Sequence, residues 1–412
     1  WNYTTNDDTI TITGYKGNNP ASLIIPNGAD FDLAHGQGTK QSNVEISSSV
    51  MHDLAKNATR IGLSKTANKK VVASDSIWQD AFGEETKGSS SDSSYNGIKV
   101  LNPNLAIMDL HNLDTSNITD MSEMFSGGTN LKTIGDLSNW NTSNVTDMSD
   151  MFLQASMTDI GDLGQWDTSK VTDMAEMFSF SSLANIGNLS KWDTSKVTNM
   201  TEMFSAAMKL TDIGDLGQWD VGNVTDMYGM FYLASVTNIG NLSKWNTSKV
   251  TDMTGTFGWT PFLTDIGDLS KWDTSNVTSM AEMFGDTGLT NIGALSKWDT
   301  SNVTNMANMF QDTKFTNIGD LSKWNTAKVT DMSLMFSKAS KLTNIGDLGQ
   351  WDTHNVTNMR NMFNQASNLT NIGDLSNWNT DKVTDVSYMF NDNEALRNLN
   401  ISNWNLSNLT ND

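Results

Sequence analysis

Apolar and polar positions along most of this chain recur at a long fixed interval. The string Trp140-Asn-Thr-Ser-Asn-Val-Thr-Asp-Met-Ser-Asp-Met-Phe152 returns with openings at Trp166, Trp192, Trp219, Trp245, Trp272, Trp298, Trp324, Trp351, Trp378 and Trp404. Leu113 opens an earlier copy, so twelve copies follow one another at spacings of 26 or 27 residues. A period in that range marks a solenoid or propeller, in which each unit buries its apolar face only against its neighbours.

Within one period the pattern predicts two elements. Leu105-Ala-Ile-Met108-Asp-Leu110 fits the L-x-x-L-x-L strand of a leucine-rich repeat, and Leu131 to Leu137 and Leu210 to Leu216 repeat it with one inserted glycine. An inserted glycine in a strand predicts a bulge. The last strand, Leu396 to Ile401, again lacks it. After the tryptophan, Met148, Met151 and Phe152 stand at i, i+3 and i+4, which predicts a short helix with one face inward. Thr146 or Asp147 would cap it. Glu123, Glu176, Glu202 and Glu282 follow Asp120, Asp173, Asn199 and Ser279 at capping-box spacing. The tryptophan column is expected to fill the core. The expected fold is therefore an α/β solenoid of the leucine-rich-repeat type: curved, with a parallel concave sheet and short convex helices.

Residues 1–100 follow different rules. Thr9 to Thr13 alternates polar and β-branched residues and predicts a strand; Ala21 to Pro26, Thr59 to Leu63 and Lys70 to Ala73 are further strand candidates. Ser76 to Phe82 suggests a turn and a half of helix, and Lys87 to Ser94 a loop. An open repeat array must cover its exposed end with an atypical unit, so 1–100 is assigned as a mainly β N-terminal cap and 101–412 as the array. The chain opens without methionine and stops partway through a repeat, so both ends are expected to be cuts in a longer protein.

Charge and composition narrow the functions. Residues 1–100 hold 11 acidic and 9 basic residues, a net of −2, which leaves −19 of the total −21 on the array. Such a surface repels phosphate backbones and anionic lipid heads, so no nucleic acid is expected as a partner. No apolar run is long enough to span a bilayer, so no membrane insertion is expected. Cysteine is absent, which removes disulfides and thiol chemistry. His35, His52, His111 and His354 show no metal-ligand spacing, and no phosphate loop or nucleophile elbow occurs. Acids recur with the repeat, whereas catalysis needs one unique constellation; the chain is expected not to be an enzyme.

The string W-[DN]-T-S-x-V-T-[DN]-M-x-x-M-F, over residues 105–412, resembles the BspA-like leucine-rich repeat surface proteins of lactobacilli, other Gram-positive bacteria and mycoplasmas. Residues 1–34 and 61–83 look like the leader region of lactobacillus members. The resemblance implies a secreted, often wall-anchored adhesin at the bacterial cell surface, with no shared catalytic residues to carry over. Its implied partner is a host extracellular or epithelial protein or glycan, such as mucin or a matrix protein, bound by a monomer. A structural stalk projecting another domain is the alternative.

Three sets of residues are candidates for binding. Beside the inserted glycine, the pairs Asp159/Asp162, Asp212/Asp215 and Asp265/Asp268 alternate with Asn185/Asn188, Asn238/Asn241 and Asn291/Ala294. Strands stacked about 4.8 Å apart would set their carboxylates against one another, so one reading is dilution of charge along a ladder. The other is a row of Asp pairs taking Ca²⁺ or a cationic partner, the only cofactor the sequence suggests. Mutual repulsion is expected to raise the pKa values of this ladder. Lys191, Lys244, Lys271, Lys297 and Lys323 form a second column, just before the tryptophan and expected on the concave face. Finally, one repeat departs from the rest: Thr256 replaces a methionine, and Trp259, Pro261 and Phe262 follow where polar loop residues are usual. Repacking around Thr256 would draw them inward; a contact patch would leave them out.

Overall fold

A computed structural model describes residues 1–17, 21–34, 43–78, 102, 104–397 and 399–410. These form two compact units, Trp1–Val197 with Ala207–Ile213, and Thr198–Ala206 with Gly214–Asp412.

The first unit opens with two sheets, one mixed and one parallel. Strands β1 (Asn2–Asn6), β2 (Thr9–Gly14), β4 (Asn43–Ile46), β6 (Val71–Ala73) and β8 (Leu113–Asp114) form one sheet in the order β1-β2-β4-β6-β8. Strands β3 (Ser22–Ile25), β5 (Arg60–Leu63) and β7 (Ile107–Asp109) form a second, in the order β3-β5-β7. All pairings are parallel except β1 with β2. The four strands expected before residue 75 are β2, β3, β5 and β6. The N-terminal region and the repeats share both sheets, because β5 pairs with β7 and β6 with β8.

Two helices complete this part, α1 (Gly28–Ala34) and α2 (Ser48–Ala55). Ser47 caps α2 by accepting from the Val50 N–H, and Met51, Leu54 and Ala55 are buried along one face. The helix expected over Ser76 to Phe82 is not seen at its described end: Ile77 bridges Asp120, and Trp78 is buried. The rest of it, with the loop at 87–94 and His35, lies outside the described residues.

In the repeats the expected convex helices are absent from the described residues. Each M-x-x-M-F segment is instead a run of tight turns with two residues in the left-handed region. In one repeat these are Asp150 (φ 57°) and Gln154 (φ 56°); in another, Glu282 (φ 56°) and Asp286 (φ 53°). A left-handed residue cannot sit inside a right-handed helix, so the capping boxes fall too: Glu123, Glu176 and Glu202 have φ of 54°, 51° and 49°. The turns point every second N–H at the next repeat. Met148, Asp150, Phe152 and Gln154 donate to the carbonyls of Asp173, Ala175, Met177 and Ser179 at 3.1, 2.8, 2.9 and 2.9 Å. The intervening N–H groups of Met151, Leu153 and Ala155 close turns onto Met148, Asp150 and Phe152. The i, i+3, i+4 apolar spacing survives because a chain of such turns also returns Met, Met and Phe to one side, where all three are buried.

The expected concave sheet is likewise reduced. Beyond β8 the described residues hold isolated parallel bridges, such as Asp159 with Asn185, Asp120 with Asp147, and Asp147 with Asp173, and no strand. The glycine is the physical reason. It sits at φ 80–87° from Gly135 through Gly373, which breaks the extended chain after one bridging residue. It also makes room: a Cβ on Gly240 would stand 1.7 Å from the Asp215 Oδ1 of the preceding repeat. After it come one-turn 3₁₀ helices, such as Leu163–Gln165 and Leu242–Lys244.

The core is built of stacked columns. In the first unit Trp140 and Trp166 lie 6.4 Å apart at 4°, and Phe125, Phe152 and Phe178 follow at 5.5 and 5.7 Å. In the second, Trp324, Trp351 and Trp378 lie 6.4 Å apart within 4° of parallel. Indoles of the column also donate to the repeat before them, as Trp166 Nε1 does to the Leu137 carbonyl and Trp245 Nε1 to that of Leu216, both at 3.0 Å. Trp245→Ala should therefore cost about 3–5 kcal/mol in cavity formation. Trp245→Phe should cost about 0.5–1.5 kcal/mol in hydrogen bonding, by removing one of the two bonds to the Leu216 carbonyl, which keeps that from the Trp219 N–H. Denaturant unfolding with hydrogen exchange checks both, and protection should fall more at 216–272 than at 351–378.

Candidate functional site

The repeated string is consumed by structure almost residue by residue. Where a Thr follows Trp-[Asp/Asn] it is buried, and Thr168 Oγ1 donates to the Asp193 carbonyl of the next repeat at 3.0 Å. The Asp or Asn before it accepts from the N–H two residues on, as Asp167 Oδ1 does from Ser169 at 3.0 Å. Asp147 closes the same kind of turn with Ser149 at 2.9 Å, so it does cap, but a turn and not a helix. Binding chemistry is left to positions that differ between repeats.

The Asp pairs are also structural. Asp159 and Asp162 each commit Oδ1 to a backbone N–H, of Gly161 at 3.0 Å and Gly164 at 2.8 Å; Asp215, Asp265 and Asp268 do the same with Gly217, Gly267 and Ser270. Asn185, Asn188, Asn238 and Asn241 offer the same oxygen to Gly187, Ser190, Gly240 and Ser243. Asp and Asn are thus interchangeable as acceptors, and Asn keeps the turn while removing the charge. Among the described residues no group of three or more His, Asp or Glu is placed to hold a metal ion. The expected rise in pKa fails at Asp268: hydrogen bonds from Ser270, backbone first, pull its carboxyl below the usual range, and Lys271 adds to this.

The five lysines are exposed. Lys191, Lys244 and Lys297 end 3₁₀ turns instead of lying on a strand. Lys323, like Lys271, adds a lowering influence on the aspartate three residues before it, Asp320, behind the hydrogen bonds from Ser322.

The atypical repeat is different. Thr256 is buried and satisfies its hydroxyl on the carbonyls of Met253 and Met227 at 2.9 and 3.1 Å, so nothing needs to move in to replace the methionine. Trp259 remains 41 % exposed and Phe262 59 %, with Pro261 exposed between them. The structure adds two tyrosines of the preceding repeat. Tyr228 is 43 % exposed. The Tyr232 ring lies over Gly255 and Gly258, at each of which a Cβ would stand 3.1 Å from Tyr232 Cδ2. Its hydroxyl donates across two repeats to Glu282 Oε2 at 3.1 Å. Gly229 and Gly255 occupy the left-handed position that Glu202 and Glu282 hold on either side. The pair of glycines thus opens a gap in an acidic column, and tyrosine covers it. Sequence reasoning missed this; the signal was two successive repeats with glycine at that one position.

Two carboxyl groups with raised pKa values lie in the first unit. Burial pushes Asp150 up to about 7, reinforced by Glu176, Glu123, Asp173 and Asp147, and burial also raises Glu176. The acids that repel one another at Asp150 include those stacked at the left-handed turn position, Glu123 and Glu176. Between its ordinary value of 3.8 and about 7, folded Asp150 binds more protons than the unfolded chain, so its contribution to stability is lost as pH rises through that window. The turn-closing carboxylates Asp167, Asp193 and Asp299 are lowered by their serine partners and act oppositely, losing stability only as pH falls below the usual carboxylate range. Tm should rise from pH 7 to about 5 and fall below about 4, and Asp150→Asn should flatten the upper limb. Melting at fixed ionic strength checks this; a wild-type Tm that falls steadily from pH 7 would refute it.

No curated protein matches this chain, and no solved structure does. A family model described as "Mycoplasma protein of unknown function, DUF285" matches residues 94–186, 156–267, 262–347 and 340–412. Those four segments run continuously over the whole repeat region, the same region in which the stacked turns and tryptophan columns lie, and the chain belongs to that family.

Proposed function

We propose that this chain is a bacterial cell-surface adhesin of the BspA-like type, a solenoid that binds a host or neighbouring-cell macromolecule without catalysis. The observation that carries this reading is the grouping of exposed Tyr228, Trp259 and Phe262 in two adjacent repeats, where other repeats expose single side chains such as Phe180, Met208 and Tyr388. Aromatics held on a rigid scaffold are anchors of interfaces, because they bury large area with little loss of side-chain entropy. A stalk needs no such departure, and its outer positions would stay polar in every repeat. Secretion and attachment to a wall belong to the same proposal.

Binding of the chain to an array of matrix proteins and mucin-type glycans tests it. At least one immobilised macromolecule should retain the chain, and Trp259→Ala with Phe262→Ser should weaken that binding by about tenfold or more. Equal binding by the variant, or no binding by the wild type, would favour the stalk.

A further inference from the structure

The aromatic group lies in an unusually one-signed stretch of surface. Residues 221–243, 250–270 and 272–296, which hold the turn segments of three successive repeats, contain no Lys or Arg. Tyr228 lies within the electrostatic reach of Glu202, Glu282, Asp252 and Asp226, and Tyr232 within that of Glu282 and Asp286. The cations that act on this neighbourhood, Lys338 and Lys314, do so at Asp286, at its far edge. Exposed tyrosine and tryptophan rings beside several carboxylates present a negative π-face and formal negative charge in the same place.

Resting on the binding reading above, we propose that the Tyr228–Tyr232–Trp259–Phe262 surface, bordered by Glu202 and Glu282, docks an arginine- or lysine-rich segment of a partner protein. A guanidinium stacks on an aromatic face and pairs with a carboxylate at its edge, so both features of the surface are used by one side chain. Tyr232 is held flat over Gly255 and Gly258 by its bond to Glu282, and this fixes one wall of the surface before any ligand arrives. The turn segments of these three repeats carry no basic residue of their own beside the carboxylates; Lys244, Lys249 and Lys271 lie outside those segments. The Asp ladder beside the column glycines lacks the aromatic half of this arrangement.

Calorimetric titration of the whole chain with a ten-residue alternating Arg-Gly peptide tests the proposal, with a Ser-Gly peptide and an uncharged chito-oligosaccharide as comparison probes. Because an acidic array attracts any polycation, the variants separate docking from diffuse attraction. Trp259→Ala with Tyr228→Thr leaves every charge in place and should weaken the Arg-Gly peptide about tenfold. Both replacements fit the turn: Ala206 holds the same left-handed position as Trp259, with φ 50°, and Thr254 the register position of Tyr228. Glu282→Gln should weaken binding and flatten its salt dependence. Asp159→Asn with Asp162→Asn, which removes two charges elsewhere, should change it by less than about twofold. Equal losses from the distant pair, or none from the aromatic pair, would overturn the proposal in favour of diffuse attraction. Patch-dependent binding of the oligosaccharide without the Arg-Gly peptide would overturn the ligand class while leaving the adhesin reading intact.

Discussion

The constraint on which the rest depends is that each repeat must hand its backbone hydrogen bonds to the next. A helix would satisfy its own N–H groups internally; this chain does not. By placing non-glycine residues such as Asp150 and Gln154 in the left-handed region, it turns alternate N–H groups outward along the stack. Each such residue costs about 1–2 kcal/mol. The register gained buries a Phe, two Met and a Trp in every regular repeat, each at about 1.5–3 kcal/mol, so packing outweighs strain. The indole N–H adds a fixed bond to the preceding repeat, which locks the columns against slipping by one residue.

That constraint explains why so little of the sequence is available for function. Thr168 and its counterparts are spent on carbonyls, Asp167 and its counterparts on turns, and the column glycine on clearing the aspartate or asparagine of the repeat before it. The repeated acids, which in the sequence suggest a metal row, are in the structure acceptors for single N–H groups. Where Gly229 and Gly255 replace the acids of the turn column, Tyr232 covers the gap and the surface changes from carboxylate to aromatic. Binding and regularity therefore occupy different positions of the same repeat.

Much of this was legible in the sequence. The period located every repeat, Trp140 to Trp404 marked the core column, and Trp259 and Phe262 announced themselves by breaking a pattern. The helix was not legible as false, because Met148, Met151 and Phe152 keep helical spacing in a chain that is not helical. Nothing in Glu123 or Leu334 signals a left-handed backbone; only the glycines at the same register position do. The bond from Tyr232 to Glu282 spans 50 residues, and is local only once two repeats are stacked. Helix α2 was not legible although Met51, Leu54 and Ala55 stand at helical spacing, because eight residues are too short a window for that period to stand out.

Exchange of the indole N–H protons, followed by NMR in deuterated buffer, tests the stacking most directly. Trp166, Trp245, Trp298 and Trp351 each donate to a leucine carbonyl of the preceding repeat at 2.9–3.0 Å, while Trp259 is exposed. The four column indoles should exchange as slowly as the backbone amides of their own repeats, and that of Trp259 should exchange within the dead time. Rapid exchange at the four, with slow backbone amides around them, would contradict the account.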